Sequence, residues 1–98
     1  MTRLVLAGRL ADDLERIAAH LLLHEAKDVP ARLAEIVQAL RVLELHPLIG
    51  RKVRAGRREL VVGRGSRGYV ALYAYDPLDD VVAVAALRAQ REAGFGEV

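Results

Sequence analysis

The fold is decided by the stretch YVALYAYDPLDDVVAVAAL, residues 69–87. Its first part, residues 69–75, mixes aromatic, β-branched and small residues and is typical of a strand. A turn of proline and aspartates, residues 76–79, separates this part from a second strand-like run, residues 80–87, which is apolar throughout after its first residue. Such a short connection favours antiparallel neighbours, and a strand that is apolar on both faces belongs in the middle of a covered sheet.

A glycine pattern, G-x-G-x-x-G, precedes this stretch at Gly63, Gly65 and Gly68. In a dinucleotide site these glycines are followed by a helix whose N-terminus holds the pyrophosphate. Here a strand follows them, and the run Arg58 to Val62 before them is also strand-like. The pattern therefore predicts a hairpin loop whose glycines supply positive φ, rather than a nucleotide site.

The N-terminal half predicts a strand and two helices. Residues 3–7 form a short apolar run, and apolar residues then recur at helical spacing from residue 10 to about residue 26. Asp28 is an N-cap candidate for a second helix, with Pro30 in its first turn, and His46-Pro47 should end that helix. The apolar stripes are Leu10, Leu14, Ile17 and Leu21 in the first helix, and Leu33, Ile36, Val37, Leu40 and Leu43 in the second.

The resulting order, β-α-α-β-β-β, predicts an α+β fold in which a helical hairpin packs on a mainly antiparallel sheet. With 98 residues, of which 53% are hydrophobic, we expect a single domain over residues 1–98. The sequence has no cysteine, which excludes disulfides and thiolate chemistry. It contains no run of about 18 apolar residues and no signal-peptide core, so we expect a soluble cytoplasmic protein without membrane contact.

Charge is segregated along the chain, although the net charge is only +2. Residues 48–75 hold seven Lys/Arg and one Glu, whereas the residues on either side carry a small acidic excess. A folded basic cluster attracts phosphate or an acidic protein surface. The alternative is a solubilising sheet edge, because charged residues also protect exposed strands from pairing with other chains.

Two other features resemble catalytic or metal sites but lack essential partners. His20 and His24 have the i, i+4 spacing of a zinc helix, but there is no third clustered ligand and leucine replaces the glutamate of H-E-x-x-H. They are more simply read as boundary residues of the apolar stripe. Ser66, the only serine, lies in the glycine loop without the context of a catalytic triad. We therefore expect no metal and no cofactor.

The arginines are the strongest candidates for a functional site. Arg51, Arg54, Arg57 and Arg58 lie before or at the start of one predicted strand, and Arg88 and Arg91 lie just after the last one. We expect the two groups to meet at one end of the sheet, where guanidinium groups would bind phosphate or partner carboxylates. Ordinary surface pairing with Glu59, Asp79, Asp80 and Glu92 is the alternative.

Several short motifs occur in a fixed order after the early strand and the two helices. They are Pro47, Gly50 and Arg51; Arg58, Glu59 and Leu60; Tyr69, Leu72, Tyr73, Tyr75 and Asp76; and the apolar run 81–87 with Arg88, Gln90 and Arg91. Their order and spacing resemble the RelE/ParE superfamily of toxins from type II toxin–antitoxin modules. The likeness spans nearly the whole chain and implies the same α+β fold.

The resemblance implies a small growth-inhibiting toxin of a plasmid stabilisation system, which a cognate antitoxin neutralises by folding over its surface. The superfamily divides by target. RelE-like members resemble ribosome-dependent mRNA endoribonucleases that rely on basic side chains and often on a C-terminal tyrosine. ParE-like members inhibit DNA gyrase and lack that full set.

This chain departs from the nuclease pattern. Its second helix carries only Arg32 and Arg41 and no lysine, and Phe95 has no hydroxyl where a tyrosine would supply one. Arg58 and Arg91 match basic positions of the nuclease pattern, but proton transfer needs another group. The ParE-like interpretation is therefore favoured, with Arg51, Arg58, Arg88 and Arg91 contacting gyrase or the antitoxin. The nuclease, with Arg58 and Arg91 as its catalytic arginines and the ribosome with its mRNA as partner, remains the alternative.

Overall fold

The computed structural model describes residues 1–24, 26–63 and 68–90. Two helices and five strands follow the predicted order, which confirms the α+β fold class, and a two-residue strand is added before the predicted first hairpin strand. The elements are β1 (Arg3–Leu6), α1 (Gly8–Leu23), α2 (Val29–Leu40), β2 (Arg51–Lys52), β3 (Arg58–Val62), β4 (Tyr69–Asp76) and β5 (Val81–Ala89).

The sheet has the strand order β1-β5-β4-β3-β2. Among the strands that the structure describes, only β1 and β5 pair in parallel, and the three other pairings are antiparallel. The predicted interior strand, β5, lies between β1 and β4, where both of its edges are hydrogen-bonded. Its two faces differ in burial: Val82 and Val84 are fully buried, whereas Ala83 between them is exposed, so the expectation of a strand covered on both faces is wrong for the first half of β5.

The two faces of the sheet have different roles. Ala71 and Tyr73 of β4 and Val82 and Val84 of β5 are fully buried in the core that the helices cover. Alternate residues point to the other face. The helical side of the core consists of Leu10, Ile17 and Leu21 of α1, Ile36 and Leu40 of α2, and Leu43 just beyond α2.

Both helices end earlier than their apolar periodicity predicts. α1 begins at Gly8 and ends at Leu23 instead of near residue 26. α2 ends at Leu40, and a 3₁₀ turn over Arg41–Glu44 continues the stripe and buries Leu43 completely. Asp28 occupies the predicted N-cap position of α2 in a left-handed conformation, and no side-chain hydrogen bond caps the helix. No helix among the described residues has the length and apolar character to cross a membrane.

A bulge in β5 shifts its register against β4 between Leu72 and Tyr73. β1 ends at Leu6, opposite Val84, so β5 continues beyond the strand on that side. There α1 completes the hydrogen bonding. The Leu87 N–H donates to Asp13 Oδ2 at 2.9 Å, and Arg16 Nη2 donates to the Leu87 carbonyl at 3.1 Å.

Candidate functional site

Arg58 stands at the start of β3 and holds the loop before β2. Its Nη1 donates to the carbonyl oxygens of Leu48 at 3.1 Å and Gly50 at 2.8 Å. A guanidinium group suits this task because it has several donors in a fixed plane. The predicted phosphate-binding arginine is thus engaged with backbone.

Tyr73 fixes the same loop from inside the core. The Gly50 N–H donates to the Tyr73 hydroxyl at 2.8 Å, and the tyrosine is fully buried. A Cβ at Gly50 would stand 2.6 Å from Cε1 and the hydroxyl of Tyr73 and 2.8 Å from the Glu59 carbonyl oxygen. Only glycine fits this contact, which gives the motif of Pro47, Gly50 and Arg51 a physical reason.

Arg51 lies on the opposite face from Arg58 and is paired across the strands. Its Nη2 donates to Glu59 Oε1 at 2.7 Å, in register with the β2–β3 ladder. The Arg51 side chain is 78% exposed. Exposed ion pairs contribute at most about 1 kcal/mol to stability, so this pair mainly orients the Arg51 side chain and neutralises Glu59.

Three further cations stand next to the loop. Lys52 and Arg54 are exposed, and Arg57 is half-buried. Among the residues that the structure describes, none of their side chains has a hydrogen-bond or ion-pair partner. Lys52 and Arg54 precede, and Arg57 follows, a tight turn in which Ala55 and Gly56 both have positive φ, 59° and 69°. This turn gathers the cations within a short segment.

The prediction that the two arginine groups meet at one end of the sheet is wrong for Arg58 and Arg88. Arg58 pairs with Tyr73, whereas Arg88 pairs with Val70. These β4 positions are three residues apart, which is about 10 Å along a strand. Because successive side chains alternate between the faces of a sheet, an odd offset of three places the two arginines on opposite faces. Arg88 Nη1 also donates to the backbone carbonyls of Ala89 and Gln90, at 3.1 and 3.3 Å.

One member of the expected set lies beyond what the structure describes. Arg91, the second candidate catalytic arginine, falls outside the described residues, and so does Phe95. The roles of Arg51, Arg58, Arg88 and Arg91 in target or antitoxin contacts therefore stay predictions.

A second polar cluster, missed by the sequence analysis, joins the N-terminus to the β4–β5 turn. Thr2 Oγ1 and the Tyr75 hydroxyl both donate to Asp80 Oδ1, at 2.6 and 2.9 Å. The hydrogen bond from Thr2 and, second to it, the one from Tyr75 lower the pKa of Asp80. The hydrogen bond between Tyr75 and Asp80 raises the pKa of Tyr75. The only signal in the sequence was an aspartate at the end of a turn.

The remaining sequence motifs have structural roles. Gly63 has a φ of 86°, and Val62 pairs with Tyr69, so the predicted hairpin between β3 and β4 is confirmed. Residues 64–67 of its loop, including Ser66, are outside the described residues. The His20 and His24 rings lie 4.2 Å apart, with His24 Nδ1 2.9 Å from the His20 carbonyl oxygen. Over residues 1–24, 26–63 and 68–90, no group of three His, Cys, Asp or Glu could hold a metal.

Solved structures with this architecture include two toxin–antitoxin systems. The toxin–antitoxin complex RelBE2 from Mycobacterium tuberculosis is similar with 23% identity and a TM-score of 0.62, over 91% of this chain and 98% of that chain. The chromosomal ParDE toxin–antitoxin system from P. aeruginosa is similar with 19% identity and a TM-score of 0.73, over 91% and 96%. No curated protein matches the sequence.

The fold is thus that of RelE/ParE toxins. Residues 4–94 match the family model of the ParE toxin of the type II toxin–antitoxin system parDE. The chain belongs to this ParE toxin family, which confirms the resemblance drawn from the sequence motifs.

Proposed function

We propose that this toxin inhibits DNA gyrase by binding it and that a cognate antitoxin neutralises it. Membership of the ParE family supports an interaction protein. The observation that carries the proposal is the engagement of Arg58, whose guanidinium donates to the Leu48 and Gly50 carbonyls. Both N–H groups of Nη1 thus position a loop, which leaves fewer of the five guanidinium donors to stabilise a phosphate.

The geometry gives less support to RNA cleavage. Phosphate charge would have to be stabilised by convergent cations, with another group transferring the proton. Arg58, one of the two candidate catalytic arginines, already donates to backbone carbonyls, and the other, Arg91, lies outside the described residues. The fully buried hydroxyl of Tyr73, the tyrosine nearest Arg58 in the register, accepts a backbone hydrogen bond.

For the antitoxin, a groove between α2 and the β3–β4 hairpin offers a separate site. It has a volume of about 370 Å³ and is lined by Ile36, Ala39, Val62, Gly63 and Tyr69, with Arg32 and Glu35 from α2. An antitoxin segment that folds on binding would insert an apolar side chain here and pair with the two charged residues. This would leave the Arg58 end of the sheet to the target.

The test uses the purified toxin in two assays with the same preparation. We expect inhibition of gyrase supercoiling, reversed by the protein product of the neighbouring antitoxin reading frame. Primer extension on translated mRNA should show no new 5′ ends. Codon-dependent cleavage in the ribosome with supercoiling unaffected would contradict the proposal and establish the nuclease alternative.

A further inference from the structure

Large apolar side chains are exposed at the start of the segment Leu45 to Arg54, which we call the recognition loop. Leu45, Leu48 and Ile49 are 66%, 57% and 53% exposed, within five consecutive residues. Single exposed leucines are ordinary on protein surfaces, but a contiguous apolar group marks a site of association.

The recognition loop is held by several hydrogen bonds although its apolar side chains face solvent. Arg58 binds the carbonyls on either side of Ile49, and the buried Tyr73 hydroxyl binds the N–H of Gly50. The Ile49 N–H also donates to the His46 carbonyl at 3.2 Å. A loop fixed in advance loses little conformational entropy when a partner binds, so its apolar contacts translate into affinity.

Cations follow the exposed apolar residues along the chain. Lys52 and Arg54 belong to the loop, and Arg57 follows it, none with a described side-chain partner. Glu59 pairs with Arg51 at 2.7 Å and Glu44 with Arg41 at 2.9 Å, so each of these acids is balanced by its own arginine. Lys52, Arg54 and Arg57 therefore add positive charge that an acidic surface would complement.

We propose that the recognition loop is the target-binding surface of the toxin, where Leu45, Leu48 and Ile49 insert into an acidic protein surface with an apolar centre. This inference rests on the proposed function in one respect, that the toxin acts on a protein. It assigns the contact to a loop that Arg58 and Tyr73 position, and it makes Arg58 a positioning residue.

A protein fits this surface better than a nucleic acid does. Interfaces with nucleic acid are more polar and strongly cationic throughout, and single strands are held by stacking on aromatic side chains. The recognition loop instead places aliphatic side chains at its centre and contains no aromatic residue. An apolar core with a charged rim is the usual anatomy of a protein interface.

The experiment compares two matched double variants. Leu48→Gln with Ile49→Gln removes the apolar centre of the loop, and Leu22→Gln with Leu23→Gln removes two leucines that are 65% and 80% exposed at the end of α1. Each is scored by growth arrest without antitoxin, by the concentration that half-inhibits supercoiling, and by antitoxin binding. Antitoxin binding and Tm report folding.

We expect the loop variant to raise the half-inhibiting concentration about tenfold or more, since buried apolar anchors carry most interface affinity. Growth arrest should weaken in parallel, antitoxin binding should persist, and the α1 variant should behave as wild type. Lys52→Glu with Arg54→Glu should slow target association and reduce its dependence on salt.

Three outcomes would overturn the inference. The first is that the loop variant inhibits gyrase and arrests growth within about twofold of wild type, a smaller change than the loss of one interface anchor causes. The second is that the loop variant loses antitoxin binding but still arrests growth. The third is that wild type binds a DNA or RNA oligonucleotide and the loop variant does not. If wild type arrests growth without affecting gyrase, the proposed target is wrong, and the growth comparison still decides the role of the loop.

Discussion

The two sides of β4 use the same chemistry for different purposes. On the β5 side, Asp13 and Arg16 of α1 bind the N–H and carbonyl of Leu87. On the β3 side, Arg58 and Tyr73 bind backbone groups of residues 48–50. Both sets satisfy backbone groups that strand pairing leaves open.

The difference lies in what is held. Asp13 is buried and fastens a helix to a central strand, so its loss should affect the whole fold. Arg58 fastens a loop with exposed apolar side chains, so its loss should affect recognition more than folding. Charged residues near strand ends therefore need to be assigned by their partners before a ligand-binding role is inferred.

The largest effect should come from Asp13→Ala. It leaves the Leu87 N–H without its charged acceptor, and hydrogen bonds to charged groups contribute about 1.5 to 3 kcal/mol. We expect urea unfolding to show a loss near the upper end of that range, with inhibition per folded molecule unchanged. Asp12→Ala, at the exposed neighbouring position, is the control and should be nearly neutral. An equal effect of both would contradict the role of Asp13.

Next in size should be Gly50→Ala on the β3 side of β4. The added methyl group overlaps the buried Tyr73 ring and the Glu59 carbonyl, and overpacking of this kind costs about 1 to 3 kcal/mol. Inhibition should fall more than stability explains, because the loop must shift. Gly8→Ala, whose Cβ would meet nothing within 4 Å, is the control and should unfold at or above the wild-type midpoint.

A smaller change, Tyr73→Phe, sharpens the comparison by removing one acceptor. The buried Gly50 N–H then lacks its partner, which costs about 1 to 2 kcal/mol. Target inhibition should weaken while the core remains packed, as near-UV circular dichroism would show. Tyr75→Phe, on the same face of β4, should leave inhibition unchanged. Equal inhibition by wild type and Tyr73→Phe would show that the Tyr73 hydroxyl has no part in target recognition.

The smallest effect concerns the cluster of Thr2, Tyr75 and Asp80. Hydrogen bonds from Thr2 and Tyr75 lower the folded pKa of Asp80 below its usual 3.8, so their stabilisation is present above that value and is lost as pH falls through the folded pKa. The Tyr75 pKa is raised above 10.0, so its contribution is lost as pH rises through that higher value.

Thr2→Val tests the acid limb of this dependence. The Tm difference between wild type and Thr2→Val should be largest near neutrality and should vanish at acid pH, where Asp80 is protonated in both states. Tyr75→Phe tests the alkaline side of this dependence, where the Tm difference between wild type and this variant should shrink as pH rises. A Tm difference independent of pH would show that the charge of Asp80 has no part in these bonds.

Local patterns were enough to predict much of the fold. Arg58–Val62 matches β3 without error, the apolar run 81–87 falls within β5 between two neighbours, and the turn at Asp76 joins antiparallel strands as its length requires. These features depend on side-chain period and turn chemistry, which act over a few residues. The helix ends were less predictable, because the stripe reaching Leu43 continues through a 3₁₀ turn.

By itself, the sequence determined the order of elements, the interior position of β5, the basic block and the superfamily to which the motifs belong. Only the tertiary structure decided which arginines meet, because register and face depend on pairing between distant residues, and an odd offset moves a side chain to the other side of the sheet. It also decided that Arg58 binds backbone and that Leu48 and Ile49 stay exposed, since both follow from residues 48–50 folding against Tyr73, more than 20 residues away.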